Sequence, residues 1–284
     1  MPTPTSSSSL RERYPEHFQG FGRDRFIATA IGCALVALLI YAMGHLGFFD
    51  GTLMAGLGRL FEIVGLMLPP DPGSWAHVKT FSVSLLETIA IALLGTLSAA
   101  VLALPLAFLA ARNVTAQRIV RFLSRRSLDT IRSVDILVWA LIWINVVGLG
   151  PFAGALAIMT ADIGSFGKLF SEAMEAADHK PVEGITSTGG SHLFGIRFGI
   201  LPEVFPVLMS QILYYFESNT RSASIIGIVG AGGIGLHLAE AIRTLELQQT
   251  SFIVLMILVA VAAIDFLSNR LRFALIGRRG GATA

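Results

Sequence analysis

Long apolar runs recur along the chain, and they constrain its fold more than any other feature. A helix crossing a hydrocarbon core of about 30 Å needs about 20 consecutive, mostly apolar residues. Phe26–Gly47 meets that length, and further runs follow at about Phe81–Ala111 (interrupted by Pro105), Ile131–Leu149, Phe152–Phe170, Ile200–Phe216 and Phe252–Leu267. Irregular backbone cannot face lipid, so each run is predicted to be a helix, with Gly148-Leu149-Gly150-Pro151 making the tight turn between the third and fourth. Only 14% of residues are charged and 54% are hydrophobic, with mean hydropathy +0.70, against roughly 25% charged in soluble domains. The expected fold class is an all-α membrane protein of about six transmembrane helices.

The segments outside these runs set the domain plan. Residues 1–25 form a polar N-terminal tail. The run after it is too long for the apolar part of a signal peptide and is not followed by a small-residue cleavage site, so it reads as a retained anchor. Residues 26–80 hold the first span and an amphipathic stretch, Thr52–Leu68, whose Arg59 and Glu62 suggest a helix lying at the membrane interface before the Pro69-Pro70-Asp71-Pro72 breaker. The core covers 81–275 and a short tail 276–284. Basic residues gather in alternate loops: 17 of 21 lie near 11–25, 112–132, 168–197 and 270–279. By the positive-inside rule both termini and the loops near 112–130 and 171–199 are cytoplasmic. The single cysteine, Cys33, forms no disulfide framework, and the scattered His45, His77, His179, His192 and His237 lack metal-ligand spacing.

The cytoplasmic loop 171–199 is too long for a simple turn, since helix connections in bundles usually run about 2–8 residues. Pro181 suits the first turn of a helix, and Glu183 sits where the helix dipole favours an anion. Gly189-Gly190 ends that helix, and a second begins near Ser191. Two short helices with a glycine elbow are therefore expected to project from the membrane.

Glu183, Gly189 and Leu201-Pro202 fall in a register that resembles the signature loop of ABC importer permeases: Glu-Ala-Ala, three residues, Gly, nine residues, Ile, one residue, Leu-Pro. This chain has Gly184, Ile185 and Gly199 where that signature has Ala, Ala and Ile. The literal Glu175-Ala176-Ala177 has the wrong spacing to Gly189. Gly148–Gly154, Phe216–Ala223, Val229–Gly235, Gln248–Thr250 and Asp265–Arg272 are similar to the phosphonate/phosphate transport branch of that family, in which the three departures are not unusual. The resemblance implies a type I ABC importer transmembrane domain in the bacterial cytoplasmic (inner) membrane, working as a homodimer. Its implied partners are a second copy of the permease, two ABC ATPase subunits and an extracytoplasmic substrate-binding protein. It also implies a coupling role for Glu183, Gly184, Gly189, Ser191, His192, Leu201 and Pro202. No G-x-x-x-x-G-K-[ST] occurs, so ATP and Mg²⁺ belong to another chain; no cofactor, enzyme activity or nucleic-acid partner is expected of this one.

Two further groups stand out. Glu217, Asn219, Arg221 and Ser222 form the most polar patch near the end of a span, just past the fifth run. Glu217 and Arg221, at i,i+4 with Glu first, read either as a structural ion pair or as an anion site toward the outer leaflet, with Asn219 and Ser222 joining Arg221. Gly230-Ala-Gly232-Gly-Ile-Gly235 matches G-x-G-x-x-G, but a dinucleotide site requires a preceding strand. Gly230 and Gly232 read instead as a tightly packed or broken helix lining a pathway. Asp135, Asp162, Asn145 and Glu87 should face the bundle rather than lipid. The alternative class is an ion-coupled secondary transporter of a small anion, which would call for inverted repeats and matched carboxylates; neither is evident.

Overall fold

The computed structural model describes residues 23–48, 51–115 and 117–276, all helical or in turns and short connections. The expected tails at 1–25 and 276–284 lie almost wholly outside these residues. The chain divides into two compact units, Met1–Gly65 and Leu66–Ala284. The first holds α1 (Arg23–His45) and nearly all of α2 (Thr52–Leu66). Helix α1 is apolar around its whole circumference: within Phe26–His45, mean hydropathy 2.4, side chains such as Phe26, Ile31, Leu35 and Tyr41 are all exposed. A helix of that composition suits lipid.

The second unit is a bundle of α3 (Trp75–Ala110), α4 (Arg118–Arg132), α5 (Ile136–Val147), α6 (Pro151–Glu175), α7 (Lys180–Ser187), α8 (Leu201–Ile228), α9 (Ile234–Arg243) and α10 (Leu247–Ile276). Its centre is the seam between α3 and α6. On α3 the buried positions Thr88, Ala92, Gly95/Thr96, Ala99, Ala103, Ala107 and Ala110 recur every three or four residues, which places them on one face. They are nearly all small, so the α6 backbone approaches closely. At Gly95 an added Cβ would lie 2.7 Å from Ile158, and at Gly164 one would lie 2.7 Å from the Arg132 backbone nitrogen. Phe166, Phe170 and Met174 of α6 then fill one core with Val204 and Leu208 of α8, while Ile158, Ala223 and Ile226 build a second nearer α5.

The structure revises the six runs. Among the described residues four helices are long and apolar enough to cross a membrane: Phe26–His45, Trp75–Ala110, His192–Ile228 and Leu247–Ala274. The predicted third run, Ile131–Leu149, is broken. Asp135 caps α5 by accepting a hydrogen bond from the Leu137 N–H at 2.8 Å, and α4 and α5 meet at 88°. With α4 counted as its other half the bent pair makes a fifth candidate; the 12 residues of α5 reach only about 18 Å alone. The predicted fourth run lies in the 25-residue α6, which carries Asp162, Lys168 and Glu172. Neighbours cover much of it, with Ala157, Ile158, Asp162, Phe166 and Phe170 buried, so it has no need to be apolar all round. The fifth and sixth runs extend beyond their predicted ends, to Ile228 and from Leu247 to Ile276.

Close packing at Gly164 makes a direct prediction. Gly164→Ala should push α4 away from α6 and cost about 1–3 kcal/mol. Gly184→Ala, where an added Cβ meets nothing within 4 Å, should leave the melting temperature of the detergent-solubilised protein unchanged.

Candidate functional site

The loop after α6 folds as a compact bracket. Pro181 lies in the first turn of α7 with Glu183 beside it. The helix stops at Gly189, whose φ of +84° favours glycine, and the Gly190 N–H closes the end on Ile185 O at 3.0 Å. After Ser191 the chain makes a short helical turn, His192–Phe194, and a π-helical turn, Gly195–Ile200, that runs straight into α8 at Leu201-Pro202. Helix α7 packs back on this turn through Val182. An added Cβ at Gly195 or Gly199 would lie 3.0 Å from the Val182 side chain, so a larger residue at 199, as in the general signature, would have to displace α7. Glu183, Gly184, Gly189, Ser191 and His192 are all exposed, and Leu193, Phe194 and Phe198 expose 75%, 53% and 59% of their surface. Exposed aromatic and aliphatic side chains on a projecting bracket are the composition of a docking face.

Ion pairs and hydrogen bonds fasten this bracket to the bundle. Glu175, from the misregistered Glu-Ala-Ala, accepts the Arg112 N–H at 2.6 Å and the Arg125 guanidinium. Arg125 also donates to Ala110 O at 2.9 Å, and Asn113 to Met174 O at 2.6 Å. Glu203 of α8 accepts the Asp178 N–H at 3.0 Å. Beside them Lys168 donates to Asp129 at 3.0 Å. Sequence reasoning gave Glu175 no role, because its partners lie 63 and 50 residues away.

The polar patch of α8 divides between two faces. Glu217 lies between Arg221 at 3.8 Å and Arg272 of α10 at 3.6 Å. Asn219 turns the other way, buried, and donates to Thr96 Oγ1 at 2.8 Å and to Asp162 Oδ2. Residues two apart on a helix lie about 200° apart, so Asn219 does not join Arg221. Ser222 donates to Ser218 O at 3.3 Å. Because α8 runs on to Ile228, the patch is mid-helix, not at an outer end. Arg272 had been read only as a topogenic charge.

The glycine corner after α8 is a packing device. Gly230, Gly232 and Gly233 have φ of +102°, +82° and +73°. Gly150 N–H donates to Gly230 O at 3.0 Å, Thr88 Oγ1 accepts the Ile234 N–H at 2.8 Å, and a Cβ at Gly232 would lie 2.7 Å from Pro151 N. The element before this corner is α8, so the strand a dinucleotide fingerprint requires is missing there.

The described residues thus form a helical bundle with apolar spans and an exposed glycine-elbow bracket between α6 and α8. The sequence profile of binding-protein-dependent transport system inner membrane components matches residues 103–280, and the chain belongs to that family; it is a multi-pass inner-membrane protein. A phosphite transport system permease protein of Stutzerimonas stutzeri is 32% identical over 259 residues, covering 90% of this chain and 93% of the relative. The phosphate-import permease protein of Mycolicibacterium smegmatis is 32% identical over 276 residues, 96% of this chain and 49% of the relative. Among solved structures, a chain of the inward-facing methionine ABC transporter aligns with TM-score 0.62 at 18% identity, over 71% of this chain and 99% of that one. This last likeness concerns the fold alone.

Removing one partner of a part-buried charged hydrogen bond costs about 1–3 kcal/mol. Glu175→Gln should therefore lower the melting temperature of the purified protein by a few degrees, whereas Glu183→Gln, on the exposed side of α7, should not.

Proposed function

We propose that the chain is the permease subunit of an ATP-driven importer and carries a tetrahedral phosphorus oxyanion (phosphite, phosphonate or phosphate) by alternating access. The observation that carries this reading is the bracket of residues 180–202. It is exposed outward, packs through Val182 on the turn that leads into α8, and is joined to α8 where Glu203 accepts the Asp178 N–H, while Glu175 and Arg125 hold the end of α6 from which it departs. The substrate class is supported by the relatives named for phosphite and phosphate transport.

In this reading two copies of the chain enclose the path, and separate ATPase subunits bind and hydrolyse Mg²⁺-ATP. They dock on Glu183, Gly184, Gly189, Ser191 and His192, with Leu201 and Pro202 as the lever into α8. A binding protein delivers the anion on the opposite side. The basic-residue alternation supports six spans with both termini cytoplasmic, the bent α4–α5 pair and α6 serving as the third and fourth. Glu217 and Arg221 lie along one side of α8, Ser222 lies between that side and Asn219, and Asn219, Gly230 and Gly232 serve its packing. Asp162 is hydrogen-bonded by Asn219, an arrangement that favours a structural layer over the matched carboxylates of ion-coupled transport.

Reconstitution of the permease with its ATPase and binding protein in proteoliposomes tests this. Uptake of phosphite or phosphate should require ATP and the binding protein. Gly189→Pro should lower uptake at least tenfold and abolish stimulation of the ATPase by loaded binding protein. Uptake driven by an ion gradient with no ATPase present would overturn the proposal.

A further inference from the structure

Arg272 occupies an environment that its ion pair with Glu217 does not complete. Its side chain is 25% exposed, yet Nε and Nη2 are buried and make no hydrogen bond. The Glu217 contact at 3.6 Å is too long for one. Unmade hydrogen bonds to a buried charge are costly and rare. The guanidinium lies 5.8 Å from the Tyr214 ring centre, and Arg272 borders an open, largely apolar groove of about 460 Å³ with Leu169, Val207, Ser210, Gln211, Tyr214 and Tyr215. Gln211 also presents a buried Oε1 with no partner. One carboxylate faces two guanidiniums, Arg221 and Arg272, so the cluster keeps an excess positive charge.

We propose that Arg272, with Gln211, Ser210 and Tyr214, forms a binding site for a phosphorus oxyanion in the half of the bundle nearest the coupling bracket. The residue types fit that ligand once the buried Arg272 and Gln211 head groups turn toward the groove. A guanidinium presents a planar fork of donors that matches two oxygens of a tetrahedral anion. The Gln211 carboxamide can accept from a P–OH group or, turned over, donate to a third oxygen. Glu217 holds Arg272 in place without consuming its donors. Gln211 lies ten residues, about 15 Å, along α8 from Leu201. Asn219, in the Asp162–Thr96 layer, lies about 12 Å further on. The site is therefore between that layer and the bracket, where an imported anion arrives after passing the layer. This inference rests on the proposed function for the identity of the transported anion, while a lipid headgroup offers the same phosphate chemistry.

The test uses the permease–ATPase complex in nanodiscs, without binding protein, titrated with inorganic phosphate and read by calorimetry. In phosphatidylcholine discs the wild-type complex should bind phosphate. Arg272→Gln should weaken binding at least tenfold and Gln211→Leu severalfold. Arg270→Gln, an exposed arginine on the same helix that stacks on Phe266 at 4.8 Å, should not change it. Arg272→Lys, retaining the charge without the fork, should fall between. Equal binding by wild type and Arg272→Gln, or none by wild type, overturns the site. Discs containing phosphatidylglycerol distinguish the sources. Loss of phosphate binding there identifies a lipid headgroup as the occupant and contradicts a site for the free anion, whereas unchanged phosphate affinity supports it. If the wild type binds phosphate but shows no ATP-driven uptake, the proposed function fails and the site stands. If uptake is intact and binding ignores Arg272, the reverse holds.

Discussion

Close approach of α3 and α6 is the constraint on which the rest of the bundle depends. In lipid, association cannot rely on expelling water, so helices cohere through tight packing and internal hydrogen bonds. The alanine, threonine and glycine face of α3 supplies both. Its small side chains admit Ile158 and the α6 backbone, while Thr88 and Thr96 bind the glycine corner and Asn219. Bulk at Gly95, Gly164 or Gly232 would separate these elements.

That packing makes α6 a rigid member joining the two ends of the mechanism. Its N-terminal turn abuts the glycine corner at Pro151 and Gly232, and its C-terminal end carries Glu175, the anchor for Arg112 and Arg125. The bracket hangs between α6 and α8 through Glu203 and the Val182–Gly199 contact. In the proposed mechanism ATPase closure acts on a body already fastened to both helices, so little of the motion is lost within the loop. The Asp162–Asn219–Thr96 layer crosses the same members and would feel their displacement.

Much of this was legible in the sequence because apolar runs and glycine spacing are local signals. The α7 helix, its Pro181 start and its Gly189 stop follow from capping rules. The glycines at 230 and 232 read correctly as close-approach positions. The 88° break before α5 is not legible from hydropathy, because Arg132, Ser133 and Asp135 read as the polar border of a span, and a capping aspartate resembles any polar residue near a span end. Asn219 was grouped with Arg221 from proximity along the chain, although helical periodicity sends them to different faces. Glu175 and Arg272 have partners 50 or more residues away, and no local pattern reveals such pairing.

Site-specific photo-crosslinking from position 193 tests the coupling account most directly. Leu193 is exposed at the tip of the bracket, and a photoreactive residue there should form its main adduct with the ATPase subunit in the assembled transporter. The yield should change at least severalfold between the nucleotide-free and ATP-bound states. Adducts confined to lipid, or a yield indifferent to nucleotide, would contradict the claim that this bracket receives the force that drives transport.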